Sequence, residues 1–146
     1  LNPDNHLQDA MHSLAHSFVD LGADEFTVGR PHPMIDGSLR SERIRAEAAD
    51  PETAMILLDI ILGHVSSPDP VGDVIEAVVS AKQSASERGG YLSVVANVCG
   101  TDLDPQDFDA QSSHLRQAGV IVFESSVTAA TFAAQVAALI DSAREV

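Results

Sequence analysis

A chain of 146 residues with 45% hydrophobic side chains suits one domain with its own core and excludes wholesale disorder. Its formal net charge of −14, from 22 acidic and 8 basic side chains, gives a surface that repels phosphate backbones and argues against nucleic acid as a partner. A single cysteine forms no internal disulfide, no charged-then-apolar segment opens the chain and no apolar run is long enough to cross a bilayer, so a cytoplasmic protein without a membrane partner is expected.

Residues 1–16 read as a polar N-terminal lead-in, and residues 17–146 as one α/β domain. The chain opens on Leu1 rather than Met, as a domain cut from a longer protein would. SFVDLG (17–22) reads as a short strand closed by glycine. FTVGRPHPMIDGSLR (26–40) follows as a loop, because its two prolines fix φ and remove backbone donors. SLRSERIRAEAAD (38–50) is predicted helical, capped by Asp36 or Ser38. AMILLDIILG (54–63) is almost wholly apolar, the pattern of a parallel strand buried on both faces.

HVSSPDP (64–70) is a loop in which Asp69 and Pro70 mark a helix start. Val71, Val74, Ile75, Val78 and Ala81 then keep the spacing of one buried helix face. The unit repeats: YLSVVANVCG (91–100) is a second buried strand, and TDLDP ends in another Asp-Pro helix start at Asp104, with Asp107 three residues on. VIVFE (120–124) is a third strand, leading through Ser125 and Ser126 into a last helix with Phe132, Val136, Leu139 and Ile140 as its packing face. Strands alternating with helices predict a mainly parallel sheet of about four strands with right-handed crossovers.

In such a fold, ligands bind where loops leave the strand carboxyl ends. Gly22, Gly63 and Gly100 hold those positions, and two helix starts aim backbone N–H groups at the same edge, where anions are favoured. Arg30, Arg40, Arg43 and Arg45 are half of the 8 basic side chains, so this neighbourhood is the first candidate for a small anionic substrate. Arg30 offers a bidentate grip on carboxylate or phosphate. Pro31 and Pro33 stiffen the loop around His32, a candidate acid/base group, which Asp36 orients unless it caps the helix instead. Arg40 is a second anion ligand or a solvent-facing helix arginine.

His64, after Gly63, is a candidate phosphoryl acceptor or acid/base group, against the plainer reading of a surface hydrogen-bonder. Cys99 sits near a helix start, where thiolate is favoured, but the ordinary role of a lone cysteine is buried and apolar. His12 and His16 are four apart, as on one helix face, yet no histidine shows metal-ligand spacing with cysteine or carboxylate, so no metal is expected.

FVDLGADEFTVGRPHPMIDGSLRSERI, ADPETAMILLDIILG, SPDP and VVANVCGTDLDPQ together resemble the FdrA family of acyl-CoA synthetase-like proteins, from about Phe18 to the last helix. More distantly, the arrangement is similar to the CoA-ligase domain of succinyl-CoA synthetases. The resemblance implies a flavodoxin-like three-layer sandwich, an acyl-CoA chemistry that passes through a phosphohistidine, and a phosphoryl site where helix N-termini converge. It also implies an association with purine-derived nitrogen breakdown. Gly63-His64-Val65-Ser66-Ser67 looks like the phosphohistidine loop but follows an earlier strand, and CGTDLDPQD, in the matching place, has no histidine. The chain thus resembles the partner-type half that receives phosphate. The family pattern also has an upstream strand between SFVDL and AMILLDIIL, which this chain lacks, so the sheet closes the gap, borrows a strand or stays incomplete.

The resulting expectation is a CoA-ligase-like domain of an FdrA-type protein, inactive alone. It binds a phosphoryl, acyl or carbamoyl anion through Arg30, Arg40, Gly63, Gly100 and Thr101, with His32, Asp36 and His64 as candidate catalytic groups. CoA and ATP are the candidate cofactors of the intact protein, its remaining domains or subunits the expected partners, and a homo-oligomer a candidate state. The alternative is a non-catalytic scaffold or regulatory domain that keeps an anion pocket. A flavin or response-regulator module has only the fold in its favour, since Asp59 sits mid-strand rather than among strand-end acids.

Overall fold

The apolar runs become a parallel sheet in the computed structural model, which describes residues 6–144. β1 (Met55–Ile61) pairs with β2 (Ser93–Cys99), and β2 with β3 (Ile121–Phe123), all parallel and in that order. Met55 lies opposite Ser93 and Ile61 opposite Cys99, while Asn97 stands between Asp59 and Phe123. Five helices complete the described chain: α1 (Asp24–Thr27), α2 (Ser38–Ala49), α3 (Gly72–Glu87), α4 (Phe108–Gln117) and α5 (Ser126–Arg144).

Alternation along β2 sends Val94, Ala96 and Val98 into the main core with Ile60, Leu62, Leu115 and the buried stripe of α3. α2 adds Ile44 and Ala48 to that core by packing on α3. Val95 and Asn97 face the other way, where α5 crosses all three strands. Helices on both faces of a parallel sheet give the three-layer α/β sandwich of flavodoxin-like type expected from the sequence. Val71, Val74, Val78 and Ala81 are buried as their spacing predicts, and Ile75 is partly so.

Four expectations are corrected. SFVDLG forms no strand: Phe18 is 93% exposed, and Asp20 accepts a hydrogen bond from Gly22 N–H at 2.9 Å, turning the chain. A strand exists by pairing its N–H and C=O groups, and this segment pairs with no strand among the described residues. The sheet therefore has three strands there. Asp104 does not start α4. Asp107 caps that helix by accepting from Ala110 N–H at 3.0 Å, because Asp104 folds back onto Thr101. On α5, Leu139 is 69% exposed, leaving Phe132, Val136 and Ile140 on the packing side, with Phe132 and Phe123 ring centroids 5.3 Å apart.

The fourth correction concerns apolar length. Ser126–Ala143 on α5 reaches bilayer-spanning length with a mean hydropathy of 1.2, by length and composition only. Val127, Phe132, Val136, Leu139, Ile140 and seven alanines together give that value, while one side of the helix packs on the sheet.

The first five residues of the lead-in and residues 145–146 lie outside the described chain. Its visible part, from His6, is irregular and does not put His12 and His16 on one helix. His12 pairs with Asp9 and His16 with Asp141, and Arg43 ties the lead-in to α2 by donating to Ala10 O and Ser13 Oγ.

Candidate functional site at the strand carboxyl edge

β1 and β2 end side by side, and the two glycine corners meet there. Leu62 N–H donates to Cys99 O at 2.9 Å, extending the ladder one step past β1. Gly100 lies flat against Leu62: a Cβ at this position would stand 2.7 Å from the Leu62 Cβ, so only glycine fits. Gly63 turns the chain away with φ of +139°, a conformation side-chain-bearing residues rarely adopt.

Two glutamines hold this corner. Gln106, 7% exposed, accepts from Gly63 N–H at 3.0 Å and donates to Gly63 O at 2.7 Å and Ser67 O at 3.0 Å. Gln111, on α4, accepts from Val71 N–H at 3.0 Å and donates to Asp69 Oδ1 at 2.9 Å. Asp69 also accepts from Gly72 N–H at 2.9 Å, and the Gln111 bond, then the Gly72 bond, hold its carboxyl below the usual carboxylate range. The sequence reading missed both glutamines. Gln111 had one signal: it stands four residues before buried Leu115, on the helix face turned inward.

The proline-rich loop reaches the same corner. Its backbone crosses to the Gly63–Ser67 turn, with Ser67 N–H donating to Met34 O at 2.7 Å. Buried Phe26 on α1 and buried Pro33 anchor it from below. The segment singled out from sequence and the Gly63 and Gly100 corners are thus one connected structure.

Its charged groups have their own partners. Arg30 Nη1 donates to Glu42 Oε2 at 2.9 Å, an exposed ion pair with α2. His32 Nδ1 accepts from Met34 N–H at 3.2 Å, which in the neutral ring leaves the proton on Nε2. That nitrogen lies against Gly22, where an added Cβ would come within 2.6 Å of it. Asp36 turns to α2 rather than to His32: Ser38 N–H donates to it at 2.8 Å, and the bonds from Ser38 lower its pKa.

Arg40 leaves the solvent face, its Nη2 donating to Asp59 O at 2.6 Å on the outer side of β1. Burial of the guanidinium lowers its pKa, partly offset by the Asp59 and Asp73 charges. His64 is exposed on the turn, and Cys99 is exposed rather than a buried apolar residue. Thr101 N–H donates to Asp104 Oδ2 at 2.7 Å, with the Thr101 hydroxyl 3.2 Å from the same oxygen. The Thr101 N–H and hydroxyl are thus both turned to the Asp104 carboxylate.

Arg30, His32 and the backbone N–H groups of Gly63, Val71, Gly72 and Thr101 are the kinds of group that hold an oxyanion. Each of those backbone donors has an internal acceptor: Gln106 for Gly63, Asp104 for Thr101, Gln111 for Val71 and Asp69 for Gly72. No group of three or more His, Cys, Asp or Glu that suits a metal ion occurs among the described residues.

Comparison with known proteins bears on the same stretch. The family model described as CoA-ligase matches residues 5–136. A protein of Escherichia coli (strain K12), named uncharacterized protein YahF, is 46% identical over 125 residues, covering 86% of this chain and 24% of that protein. The chain thus spans about a quarter of the length of this curated relative.

Proposed function

The chain belongs to the CoA-ligase family, and on that premise we propose that it is the anion-receiving domain of a larger FdrA-type ligase or acyl-transfer protein. The guest is a small phosphoryl- or carboxyl-bearing group, an acyl or carbamoyl phosphate in chemical class. Arg30 leaves Glu42 to clamp it, and Arg40 steadies the end of β1 beside the site. His32 presents Nε2–H as a hydrogen-bond or proton donor, held by Met34 with Asp36 fixing the loop's junction to α2. Gly100 and Thr101 supply the corner where the guest's oxygen takes the place of the Asp104 carboxylate. His64, exposed on the adjoining turn, is the side chain placed to exchange a phosphoryl group with a neighbouring domain. CoA and ATP belong to the intact protein in this reading.

One observation carries the reading: the Met34–Ser67 bond joins the arginine–histidine loop to the glycine corners. Exposed ion pairs are worth little, so freeing Arg30 from Glu42 costs about 0–1 kcal/mol. The test is turnover and ligand affinity of the longer protein carrying Arg30→Ala or His32→Ala. Loss of affinity with Arg30→Ala and loss of rate with His32→Ala are expected; two unchanged variants would rule the site out.

A second reading, a non-catalytic scaffold or regulatory domain, is favoured by the internal acceptors on Gly63, Thr101, Val71 and Gly72. Phosphorylation of the longer protein with labelled ATP separates the two. Label that reaches this domain or its partner subunit supports the first reading, and its absence the second.

A further inference from the structure

One side chain holds both ends of the turn that follows β1. Gly63 and Ser67 bracket His64, Val65 and Ser66, and Gln106 accepts from Gly63 N–H while donating to Gly63 O and Ser67 O. Its amide oxygen and both amide protons are engaged, a pattern that needs donor and acceptor on one group. The turn has few holds of its own among the described residues. One backbone bond crosses it, from Ser66 N–H to Gly63 O at 3.1 Å, while His64 and Val65 are exposed and the buried Ser66 hydroxyl has no partner.

From that turn the contact continues to the proline-rich loop. Ser67, 5% exposed, donates its N–H to Met34 O at 2.7 Å, and Met34 N–H donates to His32 Nδ1 at 3.2 Å. A series of hydrogen bonds therefore runs from Gln106 through Ser67 and Met34 to the imidazole. Buried Pro33, between His32 and Met34, stiffens the last link. We infer that Gln106 is the positioning residue of His32, setting the direction of a ring to which it makes no bond. The inference rests on the reading of His32 as the site's proton donor.

The backbone around Gln106 favours placement over stability. Pro105 fixes φ on one side. On the other, Asp107 has φ of +56° and ψ of 92°, outside the conformations that side-chain-bearing residues favour, while its carboxylate caps α4. Such strain persists where the surrounding structure over-determines it, and it clusters at functional sites. Gln111 differs: its own bonds end at Val71 and Asp69, at the start of α3.

Nitrogen-15 spectra of the His32 ring and amide hydrogen exchange, on the labelled 146-residue chain, test this without a ligand. With Met34 N–H on Nδ1, the neutral ring should keep its proton on Nε2 and show two well-separated nitrogen signals. Gln106→Ala should draw those signals together as the tautomers mix. It should also speed exchange at Met34 and Ser67 about tenfold relative to the α3 amides, the usual weight of a lost hydrogen bond. Gln111→Ala, which also removes buried bonds, should leave the ring signals unmoved. Should Gln106→Ala fail to fold, Gln106→Met keeps the side chain's length and burial without its bonds and should give the same ring spectrum. In the longer protein, Gln106→Met should lower turnover about tenfold or more with affinity held, the pattern of His32→Ala rather than Arg30→Ala. Ring signals identical in the unaltered chain and the Gln106 variants overturn the inference, and so does an equal displacement by Gln111→Ala. A ring that moves while turnover holds supports the link and overturns the reading of His32 as the donor.

Discussion

At the scale of single residues, the corner depends on groups with nothing else to bond. Val71 is fully buried, so Gln111→Ala leaves its N–H without an acceptor and should cost about 1–3 kcal/mol in urea denaturation. The same side chain holds down the Asp69 pKa, which gives the loss a pH signature. A carboxyl acidified by folding binds fewer protons folded than unfolded. Its contribution is therefore complete above the unfolded value, near 3.8, and disappears as pH falls through the folded one. Asp69→Asn should flatten that part of the acid-stability curve, as measured by denaturation at successive pH values.

Gln106→Glu is a sharper case. It keeps the shape but sets a carboxylate against the carbonyls of Gly63 and Ser67, and about 3 kcal/mol of destabilisation is expected at neutral pH. The role of Gln106 was not legible in the sequence, because a glutamine bonded to a distant backbone looks like any surface glutamine until the loops meet, and Gln111 showed only its place on the inward face of α4. Gly63 and Gly100 were legible, since a glycine after a strand carries its own steric reason. Arg40 was read as an anion ligand or a solvent-facing side chain. The free carbonyl of Asp59 that captures it depends on which neighbour β1 lacks, and no local pattern encodes that.

At the scale of elements, apolar runs marked the three strands and helical spacing the buried face of α3: β1, β2 and α3 are long, while β3 is a short apolar run between turn residues. Periodicity misread SFVDLG, whose pattern is a strand's but whose pairing partner is not among the described residues. It also set the start of α4 at the Asp-Pro pair. The capping difference is measurable: Asp107→Ala should cost about 1 kcal/mol of stability, while Asp104→Ala should leave α4 intact. On α5, Phe132→Ala removes the contact with Phe123 and should cost about 1–3 kcal/mol. Leu139→Glu, at 69% exposure, should stay within about 0.5 kcal/mol in thermal or urea melts.

At the scale of the molecule, the carboxyl edge of the sheet gathers the stiffened loop, the glycine corners and the helix starts. The acidic surface, −14 in all, makes the arginines of the loop and α2 its main local exception, which suits a site that admits a small anion against a repelling background.

Phosphate added to isotope-labelled chain, followed by amide chemical shifts, tests that central claim most directly. Shifts confined to the Gly63–Ser67 and Gly100–Asp104 corners and the Arg30 side chain, and abolished by Arg30→Ala, are predicted. Shifts spread evenly over the surface, or unaltered in that variant, would contradict it.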